Sequence, residues 1–417
     1  MGTTKRLAVA QVANSVGDGA FYVSSALYFT RVVGLSPTQV GFALTLAWAV
    51  GAVAGVPLGH LADRFGAKRL AVVLAVVTAG ALASFLVVRS LPAFLLIAAV
   101  YACGQSGLQA ARQALLAGLV EPGRRTRVRA LLQSVLNAGL AVGAGLGGVA
   151  LHLDAAEAYL VVFAVDALGF LVAAAVLWGL PEVVAAVSGP RRLGVLRDRP
   201  YALVALLNAV LLLYMPMLSL VVPLWIVERT DAPTWIVGVL FVVNTGAVVV
   251  GQVRMARGVT DLDTAVRSVR RGGVLLLVGC GVFALSADTG AWVAVAVLVA
   301  AAAVQVVGEM AHGAGSWEIG FGLAPADRQG QYQGFYGTGT AVARTVGPLL
   351  LTTLVLGGGV VGWLVLGALF LTAALAMGPA VRWSRRTSRG ATGVSTSDTQ
   401  VHSSGYHGDR PACPATR

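Results

Sequence analysis

Two carboxylates in this chain stand where carboxylates are costly. Asp18 and Glu309 fall near the centres of long apolar runs. An acid at the middle of a membrane-crossing helix costs about 2.5–3.5 kcal/mol on insertion scales unless it finds a partner, water or a proton. Each belongs to a stripe of polar residues. Gln11, Asn14, Asp18, Tyr22 and Ser25 recur at steps of three or four, as do Gln305, Glu309, His312 and Ser316, so each set shares one face of a helix. Gln105, Gln109 and Arg112 form a third stripe, and Asn208, Tyr214 and Ser219 a weaker fourth. A carboxyl that alternates between a dry pocket and an Arg or water changes its hold on a proton, which is the chemistry of a proton carrier. Arg112 is the expected partner of Asp18 if their two stretches adjoin.

Each residue also has a structural reading. Asp18 with Arg112 can be a static pair, and Glu309 with His312 a hydrogen-bonded fixture that orders Trp317. Asp166, in a further apolar run, can be structurally satisfied or serve transport. Arg344, with Tyr336 and Thr340 on a nearby face, is balanced between an anion contact and a structural role. A metal site at His312 is not expected, since no second His or Cys stands at ligand spacing. The chain has Lys only at positions 5 and 68, so no GxxxxGK[ST] phosphate loop is possible, and HExxH and GxSxG are also missing from the sequence. The expectation is a protein that is not an enzyme and uses no cofactor.

The elements that must position these residues follow from composition. Of 417 residues, 57% are hydrophobic and only 12% charged, whereas soluble domains run nearer a quarter charged. Apolar runs of about 20 residues or more, without period-two alternation, predict transmembrane helices. Twelve spans can be drawn, from Leu7–Val33 and Thr38–Leu58 to Gln331–Leu356 and Gly357–Val381. Of the 30 Lys and Arg, Arg31, Arg89 and Arg229 lie on one side, and Arg112 and Arg344 inside spans. All the others lie on the opposite side, which places both termini and the basic loops in the cytoplasm. The formal charge of +12 is thus topology, and no nucleic-acid partner is expected. The preference for Arg over Lys, with Ala, Val, Gly and Leu dominant, suggests a GC-rich bacterial genome and hence a multi-pass protein of the bacterial inner membrane.

The chain divides six plus six. Residues 1–180 form an N-terminal six-helix bundle, 181–200 a cytoplasmic linker and 201–381 a C-terminal bundle. Residues 382–417 read as a disordered cytoplasmic tail. Pro122-Gly123-Arg124-Arg125 after span four and Pro325-Ala326-Asp327-Arg328 after span ten are offset by the same interval as the halves, a weak repeat of a kind recurrent among secondary transporters. Small residues in span five, Gly139, Gly143, Gly147 and Gly148, stand at spacings that bring helices into close contact.

Between spans two and three runs Gly59-His60-Leu61-Ala62-Asp63-Arg64-Phe65-Gly66-Ala67-Lys68-Arg69. It resembles the signature loop of the major facilitator superfamily, with Ala67 where that family often has Arg. The resemblance covers about Leu7 to Val381 and implies an all-α fold of two pseudo-symmetric six-helix bundles, in which spans one, four, seven and ten line a central cavity. It further implies that Asp63 latches the cytoplasmic side against the start of span eleven, with Gly59, Arg64, Gly66, Lys68 and Arg69 as the rest of the gate motif. The span-five glycines look like the motif of drug/proton antiporters, although Ala144 stands where that motif has Pro.

The expectation is a proton-coupled exporter of a small organic compound, working by alternating access as a monomer in the lipid bilayer. Asp18 and Glu309 would exchange protons. Asn14, Tyr22, Gln105, Gln109, Arg112, Asn208, Tyr214, Gln305, His312, Trp317 and Arg344 would line the cavity. Two alternatives remain open: proton-coupled uptake of a sugar or organic anion, and a transporter-like membrane sensor without flux.

Overall fold

The computed structural model describes residues 2–153, 155–183 and 193–397, with backbone alone from 388 onward. Among the described residues the secondary structure is helical, without strands. The first half contains α1 (Thr3–Leu27, prolonged by a π turn at Tyr28–Val32), α2 (Pro37–Phe65), α3 (Ala67–Phe85), α4 (Leu91–Leu119), α5 (Pro122–Leu153) and α6 (Ala156–Trp178). The second contains α7 (Arg199–Arg229, interrupted by a π turn), α8 (Ile236–Ala256), α9 (Leu262–Ala284) and α10 (Ala291–Leu323). It ends with α11 (Gln329–Leu351, prolonged by a π turn) and α12 (Gly357–Ser397). Nine helical stretches among the described residues are long and apolar enough to cross a bilayer, with Ala326–Thr387 counted as one. Neither α1, which carries the Asp18 stripe, nor α9, with Arg267, Arg270 and Arg271 in its first half, is among them.

Local chemistry sets the breaks. Ser36 caps α2: its hydroxyl accepts the Gln39 N–H at 3.2 Å, while Gln39 Oε1 accepts the Ser36 N–H at 2.9 Å, with Pro37 at the first helical position. Gly66, at φ +97°, turns the chain from α2 into α3. Asp261 caps α9 through the backbone N–H groups of Asp263 and Thr264, both at 2.9 Å. These bonds hold the exposed Asp261 carboxyl below the usual carboxylate range. At Gly359, φ +60° breaks an otherwise continuous helical run, and α12 folds back against the π turn that ends α11.

Packing repeats from one half to the other. In the first, α1 packs on α5 and α6, α2 on α4, and α3 on α4 and α6. In the second, α7 packs on α11 and α12, α8 on α10, and α9 on α10 and α12. Each half has its own apolar core, one drawing on residues 7–180 with Phe321, the other on 195–381 with Val56 and Ala130. Aromatic rings fill the first (Phe29 on Phe94 at 4.4 Å, Tyr28 on Phe163 at 4.7 Å). Phe283 and Trp363, stacked at 5.1 Å, anchor the second. The helix α12 continues past Val381 to Ser397, where the sequence predicts disorder from Arg382. Arg385 on this extension pairs with Asp263 at 3.0 Å. Arg191 and Arg192 of the linker and the tail from 398 lie outside the described residues.

Candidate functional site

Asp18 is 7% exposed and is held by α4. Gln105 donates its Nε2–H to Asp18 Oδ1 at 3.0 Å, and the Tyr101 hydroxyl lies 3.5 Å from the same oxygen. Gln105 also donates to the Tyr101 oxygen at 2.9 Å, so the three side chains form one network. They are brought together because Tyr101 and Gln105 stand one turn apart on α4. Arg112 does not pair with Asp18. It acts on it only through space, and its buried Nη2 has no hydrogen-bond partner. The reason is geometric: Arg112 stands seven residues, about two turns, beyond Gln105, and the amide reaches the carboxylate first.

Glu309 is half-buried on α10. Asn244 of α8 donates to its Oε2 at 3.0 Å, and Gln305 from one turn earlier at 3.3 Å. Among the described residues neither Asp18 nor Glu309 has an ion-pair partner. His312 is not Glu309's fixture. Its Nε2 lies 3.1 Å from Asn208 Oδ1, an acceptor, which places the ring proton on Nε2. Ser316 donates to the same Asn208 oxygen at 2.6 Å and stands 2.9 Å from the Tyr336 hydroxyl. Tyr214 closes this group, its ring 5.9 Å from that of His312. Asn14 Oδ1, Gln305 Oε1 and His312 Nδ1 are buried without partners.

The halves meet toward the basic end of the bundle through α2–α11, α5–α8, α4–α11 and α5–α10. Asp63, at the end of α2, accepts the backbone N–H groups of Gly330 (2.6 Å) and Gln331 (2.9 Å) at the start of α11. A carboxylate there satisfies donors that a helix N-terminus leaves free and lies at its positive end. Gly59 and Gly330 let the two backbones touch: a Cβ on either would overlap the other's carbonyl oxygen. Thr126 donates to Glu318, Arg129 lies 5.0 Å over the Trp317 ring, and Ser134 donates to the Val248 carbonyl at 3.2 Å. A cavity of about 80 Å³ borders this seam beside Asp63, Arg125 and Asp327. Farther from the basic end, Tyr22 is 49% exposed, and Arg344 of α11 is exposed and acts electrostatically on it. Gln109 is also exposed, with its Nε2 facing Gly337 of α11.

Several expectations need correction. Trp317 lies under Arg129 at the seam between the halves. In the loop motif, Gly59 and Asp63 touch the other half, while Arg64 lies over Phe65, Lys68 over Trp178 (5.5 Å), and Arg69 pairs with Glu182 at 3.1 Å. Those three cations tie the loop to its own half. Gly139, Gly143 and Gly147 press on Ser15, Val16 and Ala20 of α1, but Gly148, one step round the helix, faces open space. Tyr101 and Asn244 escaped the sequence reading. Tyr101 carries a signal, since it extends the Gln105–Gln109–Arg112 stripe by one turn, and Asn244 is an isolated amide in an apolar run.

An all-helical bundle of two matching halves, with polar groups facing a seam between them, defines a multi-pass membrane protein of the transporter type. A family model described as Major Facilitator Superfamily matches residues 7–348, and the chain belongs to that family. It is 26% identical over 145 residues to an uncharacterized MFS-type transporter, YdeE, of Escherichia coli K12. That match spans 35% of this chain and 37% of the relative. The fold is shared with a bacterial homologue of the iron transporter ferroportin in an outward-facing state (TM-score 0.74, 16% identity, 93% of this chain and all of that one). It is also shared with the human organic anion transporter MFSD10 (0.67, 16%, 90% and 100%). The proton:xylose symporter XylE is a third such structure (0.67, 14%, 91% and 95%).

Proposed function

We propose that the chain exports a small organic compound across the bacterial inner membrane in exchange for protons, its halves rocking about a cleft between them. The observation that carries this reading is that two intramembrane carboxyls, Asp18 in the first half and Glu309 in the second, are held by neutral donors: Gln105 and Tyr101 for Asp18, Asn244 and Gln305 for Glu309. With no ion pair to neutralise it, each carboxyl must take up a proton or meet water whenever its pocket closes. Proton entry under 100 mV releases about 2.3 kcal/mol. At about 1.4 kcal/mol per tenfold, one proton per cycle supports a gradient of roughly fifty-fold.

The resting arrangement is a gate closed at the basic, cytoplasmic end by Asp63 on α11 and by the Gly59–Gly330 contact, with Tyr22 and Arg344 reached from the other side. Twelve membrane crossings in two six-helix units, acting as a monomer, complete the reading. A second reading, proton-coupled uptake of an organic anion, is favoured by the exposed Arg344 and the unpartnered Nη2 of Arg112. Reconstituted protein offered a panel of labelled organic cations, anions and sugars under an imposed proton gradient separates them. Accumulation opposite to proton flow, abolished by a protonophore, supports exchange. Accumulation in the direction of proton flow supports uptake, and binding without flux would contradict both.

A further inference from the structure

Asp166 of α6 takes no part in this scheme, yet among the described residues its surroundings are unusual for an acid. It is wholly buried, and neither carboxyl oxygen has a hydrogen-bond partner. It leans on α1 at Gly17, where any side chain would overlap Asp166 Oδ1 and crowd its backbone. The next residue is Asp18, whose charge acts on Asp166. The titratable groups facing Asp166 from other elements are Asp18 and Tyr22 of α1 and Tyr101 of α4. Tyr28, in the π turn after α1, packs on Phe163 of α6 at 4.7 Å and donates its hydroxyl to the Phe85 carbonyl. The helices α3 and α5, which also pack on α6, carry their ionisable side chains near their ends: Lys68 and Arg69 on α3, Arg124 to Arg129 and His152 on α5. No cation therefore stands beside Asp166 among the described residues.

An ionised carboxylate shut off from solvent, with no donor and no cation beside it, is an arrangement that dry protein does not sustain, and a second carboxylate beside it adds repulsion. We propose that Asp166 retains its proton throughout, so that the α1–α4–α6 pocket contains two carboxyls but one exchangeable proton, carried by Asp18. Asp166 is a positioning residue. As the permanently neutral member it limits the pocket to a single negative charge, and it leaves exchange to the acid that has donors. The identity of the exchanger rests on the proposed function, whereas the held proton does not.

Infrared spectra of the full chain in liposomes test this through the C=O stretch of neutral carboxylic acids, recorded at about pH 5 and about pH 8. A Glu309→Gln background removes the third intramembrane acid. One neutral-acid band is expected at both pH values, slow to shift in D₂O because its carboxyl is sealed, and lost in Asp166→Asn. A second band is expected at the lower pH only, lost in Asp18→Asn. Asp166→Asn replaces a neutral acid by a neutral amide of the same shape, so it should fold. Should it not, the persistent, slowly exchanging band of the parent protein carries the test alone. Absence of that band, or its disappearance at the higher pH, overturns the held proton. Persistence of that band with no titrating partner overturns only the assignment of Asp18 as exchanger.

Discussion

The two carboxyl sites are built differently. In the first half Asp18 is buried against a Tyr–Gln pair, with a second acid, Asp166, pressed on the same helix. In the second half Glu309 is more open and takes two amides. His312 and Ser316, one to two turns along α10, are bound instead to Asn208 of α7 and Tyr336 of α11. The first site concentrates acids and leaves them short of partners, whereas the second satisfies most of its polar atoms internally. Under the proposed function, this difference would give proton exchange chiefly to the first half and contact with the transported molecule to the second.

Substitutions can break that division, and the largest effect is expected at Asp18. Asp18→Asn should eliminate both proton-driven accumulation, a loss of roughly fifty-fold, and the pH dependence of exchange, measured as flux into liposomes. Glu309→Gln should also remove accumulation but leave downhill exchange within about tenfold of wild type and still pH-dependent, since Asp18 remains. Equal behaviour of the two variants would erase the distinction. Asp63→Asn, at the carboxylate that accepts two N–H groups of α11, should weaken two charge-assisted bonds worth about 1.5–3 kcal/mol each. The expected result is about a tenfold shift toward separated basic ends, read from spin-label distances between α2 and α11. Asn244→Ala should change flux severalfold by removing one of Glu309's two donors, at about 1 kcal/mol, and Gln105→Ala should change it more, since that side chain also ties Tyr101. Arg69→Ala should matter least. Its pair with Glu182 is exposed on both sides, and such pairs contribute under about 1 kcal/mol, which thermal unfolding in detergent would register as a small change.

Much of the fold was legible because its signals are local. Apolar runs mark the helices, and the polar stripes identify the faces of α1, α4, α7 and α10. Partners across helices were not legible. Arg112 has the charge to attract Asp18, but lateral packing delivers Gln105 and Tyr101 instead. Asn244 looked like one stray amide until α8 packed on α10. The contact of Arg129 with the Trp317 ring was likewise invisible until α5 approached α10. The Asp63 contact with α11 spans most of the chain and came from resemblance. Its physical reason, free N–H groups at a helix start beside glycines that admit the backbone, is visible only in three dimensions.

The most direct test of the central claim, that uncompensated intramembrane carboxyls carry the driving proton, is to follow internal pH and labelled compound together in liposomes containing wild-type protein, Asp18→Asn or Glu309→Gln. The account predicts that wild-type flux moves protons in the opposite direction and that Asp18→Asn moves none while remaining folded and inserted. Proton movement and accumulation in Asp18→Asn equal to wild type between about pH 5 and 8 would contradict it.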